Sequence, residues 1–181
     1  MLHSLPLATL GWRLLPLDAA GQCLLDHPEQ FASSSERTIR QWADRWPGAG
    51  VGLLLGRRSG IVCVETSTPE TDTVVEWMTS LHHPEGVPTF RQDRTISRLF
   101  QYAADAFGTE PRAIEGLRVR PSGIVALPPT LAPGCSYCEW IAAPGEHPIP
   151  DPGFRLVELD DDAITILFEM IADRRELDPS F

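Results

Sequence analysis

The chain of 181 residues contains no lysine: all 15 of its basic residues are arginine. Schiff-base chemistry and any other mechanism that needs a lysine amine are excluded. So is a phosphate-binding loop closed by a lysine, and the Gly56–Gly60 turn is no such loop. Positive charge is scarce as well. Twenty-five acidic residues leave a formal net charge of −10, which disfavours a passive, sequence-blind nucleic-acid binder resting on many basic contacts. No apolar run approaches the ~18 residues of a membrane-spanning helix. Met1-Leu2-His3-Ser4 lacks a basic segment followed by an apolar one, so no secretory signal is expected. The four cysteines are therefore expected as thiols in a reducing cytoplasm. Cys135 and Cys138 have C-x-x-C spacing, but a zinc site needs two further ligands, and neither a second C-x-x-C nor an H-x3-H is present. Ser59 and Ser122 lack the G-x-S-x-G context of a hydrolase nucleophile.

What is present is an ordinary globular composition, 43% apolar and 22% charged. The length fits one domain with a sizeable core. Strand and helix signals alternate through the first half. Gly11–Leu17 reads as a first strand. Ser33-x-x-Glu36 has capping-box spacing and predicts a helix over Ser34–Arg45, with Ile39, Trp42 and Trp46 on one stripe. Val51–Leu55 and Ile61–Glu65 are apolar strands flanking a glycine turn. Thr68 caps a second helix, with Pro69 at its first position and Glu70 and Asp72 in its first turn. The chain then turns β-rich, with strands expected at Thr89–Gln92, Ser97–Tyr102, Leu117–Arg120, Ile124–Leu127 and Tyr137–Ile141. A proline-rich linker over Ala142–Phe154 precedes a last helix. Asp160, Asp161 and Asp162 stand at its start, Arg174 and Arg175 at its end, and Ile164, Leu167, Phe168 and Ile171 on one face. The expected organisation is a domain over 1–142, with the linker and amphipathic helix of 143–181 packing on it.

The segment Ser59–Ser67 carries the most chemistry. It reads as a buried strand that delivers a carboxylate, Glu65, and two residues later on the same face only a hydroxyl, Ser67. Acid-x-acid at the end of a strand is a common way to hold a divalent metal; here half of that device is present.

The order of motifs resembles the bifunctional DNA primase/polymerase (prim-pol) domain of the archaeo-eukaryotic primase superfamily. Gly11-Trp12-Arg13-Leu14-Leu15-Pro16-Leu17 is similar to the family's opening strand. Ile39-Arg40-Gln41-Trp42 through Trp46-Pro47, followed by Ala49-Gly50-Val51-Gly52-Leu53, resembles its I-x-x-W-x-x-x-(W/Y)-P-x-A-N-(I/V)-G segment. Val62-Cys63-Val64-Glu65 resembles the strand that carries D-x-D. Gly116-Leu117-Arg118-Val119-Arg120, then Gly123 to Pro128-Pro129-Thr130, resembles the G-(I/V)-D-(V/I)-R … A-P-P-S block. Tyr137-Cys138-Glu139-Trp140 resembles the closing Y-x-W strand. The likeness covers about residues 10–142. It implies an α+β fold with a prim-pol, RRM-like core: a mixed or antiparallel sheet, helices on one face and a cleft on the other.

The resemblance also implies two-metal nucleotidyl transfer, with three carboxylates holding Mg²⁺ or Mn²⁺ and a histidine on a neighbouring strand contacting the triphosphate. This chain departs from that pattern. The first acid is Glu65, the second falls on Ser67, the histidine on Arg98 and the third acid on Arg118; the early lysine falls near Gln22, and the turn Gln92–Ile96 has no glycine. An arginine in place of a carboxylate repels a divalent ion ~5 Å away by several kcal/mol at an effective dielectric near 20. The expectation is therefore a catalytically degenerate member with no metal, in which Glu65 and Arg118 either pair or stand solvated at strand ends. The alternatives are an active Mg²⁺- or Mn²⁺-dependent primase/polymerase using Glu65, with Asp93 and Glu115 as the nearest spare acids, and a protein–protein module docking through its proline-rich tail and the Ile164–Ile171 helix. Arg91, Arg94, Arg98, Arg118 and Arg120 are expected along the cleft, where they could bind phosphate or nucleic acid, with Phe100 and Tyr102 as stacking surface; the same arginines could equally be the exposed half of ordinary strands. His82-His83 reads as a solvated helix end. A replicative or helicase partner would be a separate polypeptide.

Overall fold

The computed structural model describes residues 1–82, 87–102, 111–132, 134–142, 156, 158–159 and 161–177. In chain order the elements are α1 (Leu5–Thr9), β1 (Leu14–Leu17), α2 (Pro28–Phe31), α3 (Glu36–Arg45), β2 (Gly50–Leu55), β3 (Ile61–Thr66), α4 (Pro69–His82), β4 (Thr89–Gln92), β5 (Thr95–Tyr102), β6 (Arg112–Ile114), β7 (Leu117–Arg120), β8 (Gly123–Ala126), β9 (Cys138–Ala142), β10 (Glu158–Leu159) and α5 (Asp161–Leu177). Most of the expected linker, His83, Asp160, and the side chains of His82, Asp161, Arg174 and Arg175 lie outside the described residues.

The architecture is α+β and is built on two sheets. β1, β2 and β8 form an antiparallel three-stranded sheet. The larger sheet runs β6-β7-β3-β5-β4-β9 with antiparallel neighbours, and the short β10 adds to β5 in parallel. β2 and β3, consecutive and both apolar, thus part into different sheets and meet at the Gly56–Ile61 bridge.

Strand alternation divides the larger sheet into two faces. Val62 and Val64 of β3, Phe100 of β5 and Val119 of β7 are buried beneath α4 and α5, which contribute Val74, Val75, Ile164, Leu167 and Ile171. The apolar face of the last helix is therefore core rather than an open docking surface. On the opposite face Ile61, Cys63, Phe90 and Leu99 pack against Leu53, Val51 and Val125 of the smaller sheet and against Ile39 and Trp42 of α3. That face is not an open cleft along its length. It is filled by the smaller sheet until the end of β3, where Glu65 emerges.

The motifs that are distant in sequence lock together here. The backbone N–H of Val51 donates to Thr130 Oγ1 at 2.6 Å, and Leu127 N donates to Val51 O at 2.9 Å. Gly50 has no room for a side chain, since a Cβ would stand 2.3 Å from the Thr130 methyl. The Gly-Val-Gly and Pro-Pro-Thr segments are two sides of one joint. The start of α3 differs from the capping-box expectation. Ser35, not Ser33, is the cap, and it accepts from Thr38 N. Ser33 is unavailable because its backbone N–H and C=O both pair with Leu14. α4 begins as read, with Thr68 Oγ1 accepting from Thr71 N at 3.3 Å. The four cysteines are free thiols. No helix among the described residues is long and apolar enough to cross a membrane.

Candidate functional site

The end of β3 is fixed by two hairpins and a helix. β6 and β7 join through Glu115-Gly116, and Gly116 takes a positive φ that glycine allows without strain. The Gly116 carbonyl accepts from Ser67 N at 2.9 Å and from Thr71 Oγ1 at 2.9 Å, which ties the turn to the chain leaving β3 and to the first turn of α4. β4 and β5 join through Asp93-Arg94. Asp93 sits at φ 48 and its carboxylate accepts from Ser136 N and Oγ, so it is already engaged.

Glu65 lies directly opposite Arg118 on β7 and Ser97 on β5. The expected Glu65–Arg118 ion pair does not form. Glu65 Oε1 instead accepts from Arg120 Nη1 at 2.8 Å, along the diagonal of the β3–β7 ladder. The reason is a second acceptor. Arg120 Nη2 donates to the Ile124 carbonyl at 2.7 Å, so one guanidinium joins the larger sheet to β8 of the smaller one. Arg118, aimed from the same face two residues earlier, is exposed and has no hydrogen-bond or ion-pair partner among the described residues. Ser67 has left the strand and is exposed.

Arg98 does not join this group. β5 places it opposite Val64, on the face covered by α4. It is buried, and its Nη1 donates to Asp72 Oδ1 at 2.6 Å, an oxygen that also accepts from Thr66 Oγ1 at 2.9 Å. The β5 residue that faces Glu65 is Ser97. Arg98, the residue matched to the family's histidine, is one position further along the strand, and one residue reverses the face. Among the described residues Ser97 Oγ is buried without a hydrogen-bond partner, with the Cys63 sulfur, a weak acceptor, beside it. Burial pushes the Cys63 thiol up, and the Glu65 charge adds to this.

The five arginines therefore do not line one cleft. Arg118 and Arg120 share the face of Glu65, whereas Arg98 and Arg91 lie on the helix side, and Arg94 stands exposed in the β4–β5 turn. Phe100 is buried core and Tyr102 half-buried beside it, so neither forms a stacking platform. Two hollows meet at the end of β3. One of about 290 Å³ is lined by Glu65, Ser67, Thr95, Ala113 and Arg118 among others. The other, about 650 Å³, lies past Thr66 and Ser67 and is lined by Glu70, Asp72, Arg91, Asp93 and Arg94. Asp72, Ser97 and Thr95 were not singled out as site residues from sequence; the period-two alternation of β5 could have found Ser97 and Thr95 once its register against β3 was known.

The donor set around Glu65 does not fit a pair of divalent ions. Among the described residues a single carboxylate stands there, one of its oxygens is held by a guanidinium, and a second guanidinium stands opposite. Among the described residues no three His, Cys, Asp or Glu side chains come together as a metal site. Glu115 lies in the β6–β7 turn and Asp93 in the β4–β5 turn, neither beside Glu65 on its strand ladders.

No curated protein matches the chain. The family model for the bifunctional DNA primase/polymerase N-terminal domain matches residues 4–153. The match spans the smaller sheet, the Glu65 strand, both hairpins and β9, and the chain belongs to the prim-pol family.

Proposed function

We propose that this domain, whose family ties it to primase and polymerase function, has lost nucleotidyl transfer and acts as a binding or structural module linked to DNA replication, mobile elements or defence. One observation carries the reading: Glu65, which keeps the first of the family's three metal-binding acids, is neutralised by Arg120 and flanked by Arg118 and Ser97. Two-metal catalysis needs several anionic ligands to hold the ions and balance their charge. Here the three acid positions supply one carboxylate, one hydroxyl and one guanidinium, at Glu65, Ser67 and Arg118, and the carboxylate is held by Arg120. Its partners on this reading are nucleic acid or a nucleotide, and a replication protein.

The experiment is primer extension with Mn²⁺ and all four dNTPs, together with de novo synthesis from NTPs. The expected outcome is no product above a mock purification. Robust synthesis by the wild type that Glu65→Gln abolishes would return the chain to the active primase/polymerases.

A further inference from the structure

We infer that the hollow beside Arg118 is a metal-free site for a phosphate group. The inference rests on the loss of catalysis proposed above and names the ligand class of that same position.

The charges decide it. Glu65, Arg118 and Arg120 are one carboxylate and two guanidiniums, so the site carries one net positive charge in a chain of net charge −10. Arg120 is committed at both ends, to Glu65 and to the Ile124 carbonyl. Arg118 has no partner among the described residues, is exposed, and stands on the wall of the hollow. A guanidinium there presents paired N–H donors in the fork geometry that phosphate oxygens accept. Ser67 and Thr95 add hydroxyls to the same wall. Where the family pattern has three acids that reach phosphate through metal ions, this chain has a cation that reaches it directly. The hollow of about 290 Å³ is small for a whole nucleotide and suited to its phosphates.

The phosphate has two possible sources, a nucleotide or a nucleic-acid backbone. The larger hollow shares Thr66 and Ser67 with the first, and Arg91 and Arg94 line it together with Glu70, Asp72 and Asp93. A backbone long enough to pass Ser67 would meet Arg118 and Arg94, and a lone pyrophosphate would meet only Arg118.

The test measures binding by the full chain in EDTA, with a fluorescein-labelled 20-mer of oligo(dT) by anisotropy and inorganic pyrophosphate by thermal shift. Binding of at least one probe without divalent metal is expected. Arg118→Ala should weaken it by about tenfold or more, the effect of losing a charge-assisted hydrogen bond. It should also reduce the salt slope for the oligonucleotide by about 0.7, one phosphate contact on a single strand. Arg40→Ala, at the exposed Arg40–Glu36 pair of α3, should change neither. Arg94→Ala should weaken the oligonucleotide alone if a backbone is the source. Arg118→Asp should abolish metal-free binding. The inference is overturned if neither probe binds in EDTA, if binding requires Mg²⁺ or Mn²⁺, or if Arg118→Ala binds like wild type. None of these arms reads synthesis, so they fail separately from the primer-extension experiment.

Discussion

Two arginines of the same sheet meet two carboxylates on opposite faces, and they do different work. Arg98 is sealed under α4, where Asp72 and Thr66 complete a closed network between helix, β3 and β5. Arg120 stands near the end of β3, joins two sheets through Glu65 and Ile124, and leaves beside it Arg118, which has no partner among the described residues. The carboxylates are similarly sheltered, with 20% of the Asp72 side chain and 15% of the Glu65 side chain exposed. What separates the two sites is therefore not burial alone but surplus. On the helix side positive and negative groups cancel within the network. On the Glu65 side one cation is left over, and a leftover charge facing a hollow is available to a ligand.

The sharpest way to break this comparison is to remove Arg98. Truncating one partner of a buried ion pair leaves the other desolvated and uncompensated, typically at about 3–5 kcal/mol. Because Asp72 keeps some solvent and its Thr66 bond, Arg98→Ala is expected to lose about 2–4 kcal/mol in urea unfolding. Replacing both partners with apolar residues, Arg98→Met with Asp72→Leu, should recover most of that loss. If Arg98→Ala instead retained wild-type stability and weakened oligonucleotide binding, the division of labour between the faces would be wrong.

Arg120→Ala comes next. It strips Glu65 of its partner and leaves the Ile124 carbonyl with one fewer donor, but Arg118 lies opposite Glu65 and is free to take over. The expected loss is about 1–2 kcal/mol, below that of Arg98→Ala for this reason. The substitution should also couple to its neighbour. With Arg118→Ala in the same chain, the destabilisation should exceed the sum of the single effects by about 0.5 kcal/mol or more, because the substitute is gone as well. Simple additivity would mean that Arg118 cannot reach Glu65.

The same two faces explain what could be read from the residues and what could not. β4 and β7 have the bounds their apolar patterning indicates, and α4 starts where Thr68 and Pro69 place it. The α+β class and the family follow from motif order, because the joints between motifs, such as Val51 with Thr130, need particular small and hydroxyl residues. The short elements α1, α2, β6 and β10 escaped, since runs of two to five residues hold too few periods to show a pattern. The site failed in a specific way. Side-chain spacing along one strand establishes which residues share a face, but not which residue of the next strand stands opposite. Arg98, expected along the cleft, faces the helices, and the residue opposite Glu65 is its neighbour Ser97. The choice of Arg120 over Arg118 by Glu65 was hidden for another reason, since it depends on the Ile124 carbonyl of a different sheet.

Ser97 offers a smaller test of opposite sign. Its hydroxyl is buried without a hydrogen-bond partner among the described residues, a state that costs free energy relative to a hydrogen-bonded or absent hydroxyl. Ser97→Ala removes the polar atom and leaves a void of only one oxygen, so the expected change is stabilising by less than about 1 kcal/mol in thermal or urea unfolding. A loss of more than about 1 kcal/mol would mean that the hydroxyl has a partner after all, such as the Cys63 sulfur.

Arg118→Ala should have the smallest effect on the fold and the most selective effect on function. The side chain is exposed, contributes no hydrogen bond or ion pair among the described residues, and projects from a strand whose register is held by Leu117 and Val119 in the core. Surface substitutions of this kind usually stay within about 0.5 kcal/mol. Truncation even removes a like charge from beside Arg120, which offsets part of any lost packing of the arginine stem. Unfolding of Arg118→Ala should therefore superimpose on the wild type within that margin while phosphate binding in EDTA falls. Arg98→Ala, compared at a temperature where both variants are folded, should bind as the wild type does. A protein in which Arg118→Ala unfolds early would place Arg118 among the structural arginines and leave the Glu65 side of the sheet with no cation to spare.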